Sequence, residues 1–127
     1  MSLLTKSLQF RFVPGSIDLG LLLLRLWTGV SMLALHGWAK LTGFSTATGF
    51  ADPFGIGWKG TMALAIVGEV VGSLFLILGL FTRLGALLSG VTMAVAFFVA
   101  HGAVLKGEQS GELAFIYLGA YATLFLT

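Results

Sequence analysis

Polar residues recur along the longest apolar run of the chain at spacings that a helix turns into a line. The run covers residues 19–41, LGLLLLRLWTGVSMLALHGWAKL. Arg25, Gly29, Met32, His36 and Lys40 succeed one another in steps of three and four, which puts them on one helical face. About 20 apolar residues make a helix long enough to cross a bilayer. The pattern therefore predicts a first membrane span over 18–41 with a polar stripe, started by the Pro14-Gly15-Ser16 turn with Ser16 as N-cap and Asp18 in the first turn. Three further apolar runs predict spans over 61–80, 83–103 and 111–127. In the second, Ala65, Glu69, Gly72 and Ser73 share a face, and Gly68-x-x-x-Gly72 suits close helix approach within the bundle. The third is rich in small residues and carries His101 near its end, whereas the fourth holds Glu112 in its first turn.

Between the first two spans, residues 43–60 break the periodicity. Several glycines and Pro53 oppose a continuous helix, yet Phe44, Phe50, Phe54, Ile56 and Trp58 make the segment apolar. It reads as an interfacial or partly re-entrant loop over one mouth of the bundle, or equally as an aromatic belt at the headgroups. Residues 1–18 form an amphipathic lead-in suited to the membrane surface, with Lys6 and Arg11 among leucines and phenylalanines. No cleaved leader is expected, because the apolar run after the basic residues is too long. A Gly-Val-Ser-Met run before His36 and a Gly-Val-Thr-Met run before His101 give a faint internal echo.

Composition narrows this further. The chain of 127 residues is 57% hydrophobic and 9% charged, against roughly 25% charged for soluble domains. The fold class expected is all-α: a transmembrane four-helix bundle forming a single domain over 1–127. A net charge of +2 without a basic patch argues against nucleic acid. The absence of cysteine removes thiol redox chemistry, disulfides and Cys-ligated metals, and no other metal set is visible.

Ionisable groups inside a span are expensive and face partners or wet cavities. Four spans put both termini on one side, side A. At 1.5 Å per residue, Arg25 lies about 9 Å from side A and Glu69 about 12 Å from the opposite side B. A structural ion pair between Arg25 and Glu69 is the reading that joins them. His36, Lys40, His101 and Glu112 gather toward side B, under the loop. Together, Arg25, His36, Lys40, Glu69, His101 and Glu112 form the candidate ligand-binding set. No catalytic residue is assigned.

At this point the residues resemble a family. Arg25-Leu26 with Gly29, His36-Gly37 with Lys40, Glu69 with Gly72, Gly79-Leu80-x-Thr82-Arg83-Leu84-x-Ala86, Met93, His101-Gly102 and Gly111-Glu112-Leu113 together resemble the DoxX family of small four-helix bacterial membrane proteins. The resemblance covers roughly 19–126. It implies a multi-pass protein of the bacterial inner membrane. The termini share one side, which the Lys and Arg distribution leans toward the cytoplasm. It also implies an accessory subunit of a quinone-linked redox or oxidative-stress system, because the wider family includes a small subunit of a thiosulfate:quinone oxidoreductase. Expected partners are the lipid bilayer, a redox partner protein and a further copy of the chain. No intrinsic cofactor is implied; quinone is the implied ligand. Many members carry a Gly-Pro-Gly-containing tail after the last span, whereas this sequence stops at Leu126-Thr127, so it is either a short variant or a shortened sequence, and functions needing that tail are not implied.

A quinone head needs donors for its carbonyls, a proton source and an apolar slot. His36, Lys40, Glu69 and His101 supply the first two, and Met32, Met93, Phe97 and the loop aromatics suit the third. Two histidines at similar depth also fit a b-type haem, but the family resemblance carries none, and hydrogen-bonded interface histidines are the simpler reading. Two other functions are compatible with the pattern. One is a non-catalytic membrane anchor or assembly protein with structural charges. The other is a small-solute exporter or lipid carrier, which four spans without visible inverted repeats make less natural.

Overall fold

The structure, a computed structural model, describes residues 2–127. Among them the only regular elements are helices. Helix α1 is a short surface turn over Leu3–Leu8. The long helices are α2, Ile17–Thr46, α3, Trp58–Leu78, and α4, Thr82–Ala100. Helix α5 covers Glu112–Leu126. Three helices are long and apolar enough to cross a membrane. The expectation of four is met in part, since α5 has 15 residues and spans only about 22 Å. It nevertheless packs along α4 and, less closely, against α2.

The sequence explains where these helices start and stop. Ser16 caps α2, its hydroxyl accepting from Leu19 N at 3.1 Å. Between α3 and α4 the chain reverses through Gly79, left-handed at φ 69°. That turn lets Leu80 N donate to Phe75 O at 3.0 Å, closing the last turn of α3. Helix α2 runs on through a final tight turn to Thr46, past the predicted end at 41. The irregular segment therefore shrinks from 43–60 to 47–57.

Polar stripes and small residues decide the packing. On α2, Gly29 and Met32 are buried, and Arg25, His36 and Lys40 are half-buried. Trp27 and Trp38 lie on the outside. Helices α2 and α3 run antiparallel in tight register. A Cβ on Gly29 would stand 3.2 Å from Ser73 O, and one on Gly37 3.1 Å from Glu69 O. On its other flank α3 meets α4 through Gly68 and Gly72. Ser89 Oγ of α4 donates to Gly68 O at 2.7 Å across this seam. The Gly68-x-x-x-Gly72 motif is thus used inside the chain, where small residues let backbones approach. The core joins Met32, Leu76, Ala86, Met93, Phe97, Ala114, Tyr121 and Leu124. Aliphatic and aromatic side chains such as Leu23, Val30, Leu64, Phe98 and Ile116 cover the exterior, as suits a lipid-facing surface.

Three helices each contain one widened turn. The π-helical turns are Leu33–Gly37 in α2, Val67–Val71 in α3 and Ala96–Ala100 in α4. The first contains His36, the second Glu69, and the third ends against His101. Such widened turns recur at functional sites.

Candidate functional site

Glu69 is the most deeply placed carboxylate, at 5% exposure. Its partner is Lys40. Lys40 Nζ donates to Oε1 at 3.0 Å and stands 2.9 Å from Oε2, a contact without hydrogen-bond geometry that leaves Oε2 with spare acceptor capacity. The expected pair of Glu69 with Arg25 is not formed. Arg25 Nε instead donates to Leu76 O at 2.9 Å. Leu76 lies seven residues beyond Glu69 in α3, about 10 Å along its axis. Two facts decide the exchange. The negative C-terminal end of α3 offers Arg25 carbonyls within reach. Lys40 is not at the mouth, because α2 continues another six residues to Thr46, so its long side chain meets Glu69 one turn below.

A cavity of about 890 Å³ opens toward the loop end of the bundle. His36, Lys40, Glu69 and His101 all contribute to its wall. The remaining wall is largely apolar. Met32 and Met93 form part of it, with Phe50, Pro53, Phe54 and Ile56 of the loop as a cover. Phe97, expected in this slot, is a core residue instead. Leu64 and Val67 of α3 and Leu87 and Val91 of α4 line the cavity as well, and all four are exposed on the outer surface. The cavity therefore borders the lipid-facing side between α3 and α4.

The structure thus brings four of the six candidate residues together and separates two. Arg25 lines a different pocket at the opposite end. Glu112 is exposed in the first turn of α5, outside the cavity wall, where its charge suits the helix N-terminus.

Neighbouring residues hold the wall in place. His101 Nδ1 is 3.2 Å from Gln109 O, which ties the ring to the loop before α5. His36 meets Tyr117 edge to face, with centroids 6.3 Å apart. Tyr117 Oη in turn hydrogen-bonds Ser31 Oγ at 2.6 Å. The cover is held by Asp52. Its carboxylate accepts from Thr61 Oγ1 at 2.7 Å and from Gly57 N at 2.8 Å and Ile56 N at 3.2 Å. The Thr61 hydroxyl foremost holds the Asp52 carboxyl below its ordinary range; desolvation, next in size, opposes it, and the backbone amides of Gly57, Ile56 and Gly55 add to the lowering. Tyr117 and Asp52 were not among the expected site residues. The available signal was one of two tyrosines in a largely apolar helix, and an acid nine residues ahead of a threonine near the start of the next helix.

Taken together, an all-helical chain with three membrane-length apolar helices and an apolar cavity walled by four ionisable side chains is a helical membrane protein with the makings of a binding site. The DoxX family model matches residues 20–102, and the chain belongs to the DoxX family. It is also similar to an uncharacterized protein of Haemophilus influenzae, with 43% identity over 95 residues, covering 68% of this chain and 66% of that relative. No solved structure matches the chain.

Proposed function

We propose that this DoxX protein is an accessory subunit of a quinone-linked redox or oxidative-stress system. In this reading α2, α3, α4 and the shorter α5 all cross the bacterial inner membrane, with both termini on the cytoplasmic side. The cavity takes the head of a quinone or a similar lipid-soluble carbonyl compound. The observation that carries the reading is the joint presence of His36, Lys40, Glu69 and His101 in one apolar cavity that borders the lipid face. A quinone enters from the bilayer, so a slot beside α3 and α4 suits its tail, while the polar wall suits its carbonyls.

The chemistry asked of these residues is proton handling. Reduction of a quinone to a quinol takes up two electrons and two protons. Histidine imidazoles and a carboxylate exchange protons readily, and Lys40 donates hydrogen bonds to a carbonyl oxygen. Electrons come from a partner protein oxidised in the same step, because no sequence motif here holds a redox group. A second copy of the chain is a further neighbour in this reading.

The competing reading is a non-catalytic anchor, favoured by the mutual neutralisation of Lys40 and Glu69. A short-tailed quinone titrated into purified protein in nanodiscs separates the two. Saturable quenching of tryptophan fluorescence is expected, weakened by His36→Ala or His101→Ala and unchanged by Glu112→Gln. Absence of saturable binding in the folded wild-type protein overturns the proposal in favour of the anchor.

A further inference from the structure

The end of the bundle opposite the cavity holds a second pocket of about 390 Å³. Asp18, Arg25, Thr82, Arg83 and Thr127 contribute its polar wall. Each arginine is fixed through one nitrogen. Arg25 Nε donates to Leu76 O at 2.9 Å, and Arg83 Nε donates to Phe125 O at 2.8 Å. The Arg83 guanidinium also stands 4.8 Å from the Phe125 ring centroid. Both guanidinium groups therefore sit on helix C-terminal ends, where a cation is favoured. Capping uses only Nε. Among the described residues, the terminal nitrogens of both have no protein acceptor and neither cation has a carboxylate partner. Asp18 shares the pocket without pairing to either.

Location gives this charge pattern a meaning. The pocket lies where α2 and α4 begin and α5 ends, with Asp18, Thr82 and Arg83 in the first turns and Arg25 about two turns in. In a bilayer that is headgroup depth, and Arg25 reaches it by extending toward the interface. Two fixed forks of N–H donors match the oxygens of a phosphate ester. The Asp18 carboxylate beside them matches a primary ammonium. Exposed Leu22 on the pocket rim offers a path for an acyl chain.

We propose that this pocket binds the headgroup of an aminophospholipid of the phosphatidylethanolamine type, with Arg25 and Arg83 on the phosphate and Asp18 on the ammonium. The site is separate from the cavity and does not depend on the function proposed for it.

Native mass spectrometry of the protein from micelles offered equal phosphatidylethanolamine and phosphatidylglycerol tests it. The wild-type protein is expected to retain phosphatidylethanolamine preferentially. Arg83→Gln is expected to lower retention of both lipids about tenfold, the loss of a charge-assisted hydrogen bond. Asp18→Asn is expected to keep binding but abolish the preference. Arg25 is left intact because it closes α3, and a matched melting curve shows that both variants fold. Equal retention of the two lipids by the wild-type protein overturns the proposal. So does unchanged retention by Arg83→Gln. Displacement of the lipid by millimolar inorganic phosphate overturns it too, and identifies a free-anion site.

Discussion

Replacing Lys40 by Met strands the Glu69 carboxylate in the protein interior. The Glu69 side chain is 7% exposed and that of Lys40 24%. Breaking a buried ion pair by removing one partner costs about 3–5 kcal/mol. Because Lys40 keeps some contact with the outside, the lower end applies, about 3 kcal/mol, or roughly a hundredfold in the folding equilibrium. The reverse change is milder. Glu69→Gln leaves a flexible ammonium that can swing toward the cavity mouth, and about 1 kcal/mol is expected. Removing both charges, Lys40→Met with Glu69→Gln, brings stability back to within about 1 kcal/mol of the wild-type protein. The pair is therefore coupled by about 3 kcal/mol, far above the scatter of independent sites. Unfolding in mixed micelles of increasing SDS fraction, followed by helical circular dichroism, measures all four proteins. Additive single effects refute the reasoning. A parallel cycle of Arg25→Gln with Glu69→Gln is expected to be additive within about 0.5 kcal/mol; coupling above about 1 kcal/mol there would restore the pairing that the sequence suggested.

Two further outcomes follow from the seam and the loop. Gly68→Ala puts a methyl group into Thr92 Oγ1, 2.7 Å from Thr92 Cβ and 3.0 Å from Leu88 O. A loss of about 1–3 kcal/mol is expected in the same SDS assay, partly recovered by adding Thr92→Gly, whereas Gly20→Ala, with open space around it, is expected to lose nothing. The Asp52 carboxyl has its pKa depressed in the folded protein from 3.8. The order it confers on the loop is accordingly complete above 3.8 and is lost as pH falls through the lower folded value. Trp58 fluorescence, read after Trp27 and Trp38 are replaced by Phe, is expected to report loop release in acid, and Asp52→Asn is expected to show the released signal at neutral pH. An acid transition unchanged by Asp52→Asn would point to another group.

Much of the helix packing was legible because it is periodic. Steps of three and four placed Arg25, Gly29, Met32, His36 and Lys40 on an inward face, and the same logic placed Glu69, Gly72 and Ser73 inside α3. The gathering of His36, Lys40 and His101 near one end also followed from helix direction alone. Pairing partners did not follow, because they depend on where helices stop. Phe44, Ser45 and Thr46 extend α2 through residues that carry no strong helix signal. That extension moves Lys40 from the rim into the wall. Arg25 was drawn toward Glu69 by charge, yet backbone carbonyls at the end of α3 were nearer, and carbonyls are invisible in a list of side chains. The role of Asp52 was hidden for a similar reason, since two of its partners are backbone amides.

The widened turns in α2, α3 and α4 bear on how this chain should be matched with its relatives. A π turn holds one residue more than the α turn it replaces, so a protein without it aligns with a one-residue gap. Beyond such a gap every side chain is rotated by about 100° and drawn back about 1.5 Å. In α2 the gap would fall within Leu33–Gly37, ahead of Lys40. The same lysine, still present in the sequence, would then turn from Glu69 toward neighbouring lipid. Two DoxX chains with identical ionisable residues can thus differ in whether those residues meet. The diagnostic character is the length of the segment between Gly29 and Lys40 rather than the residues that bound it.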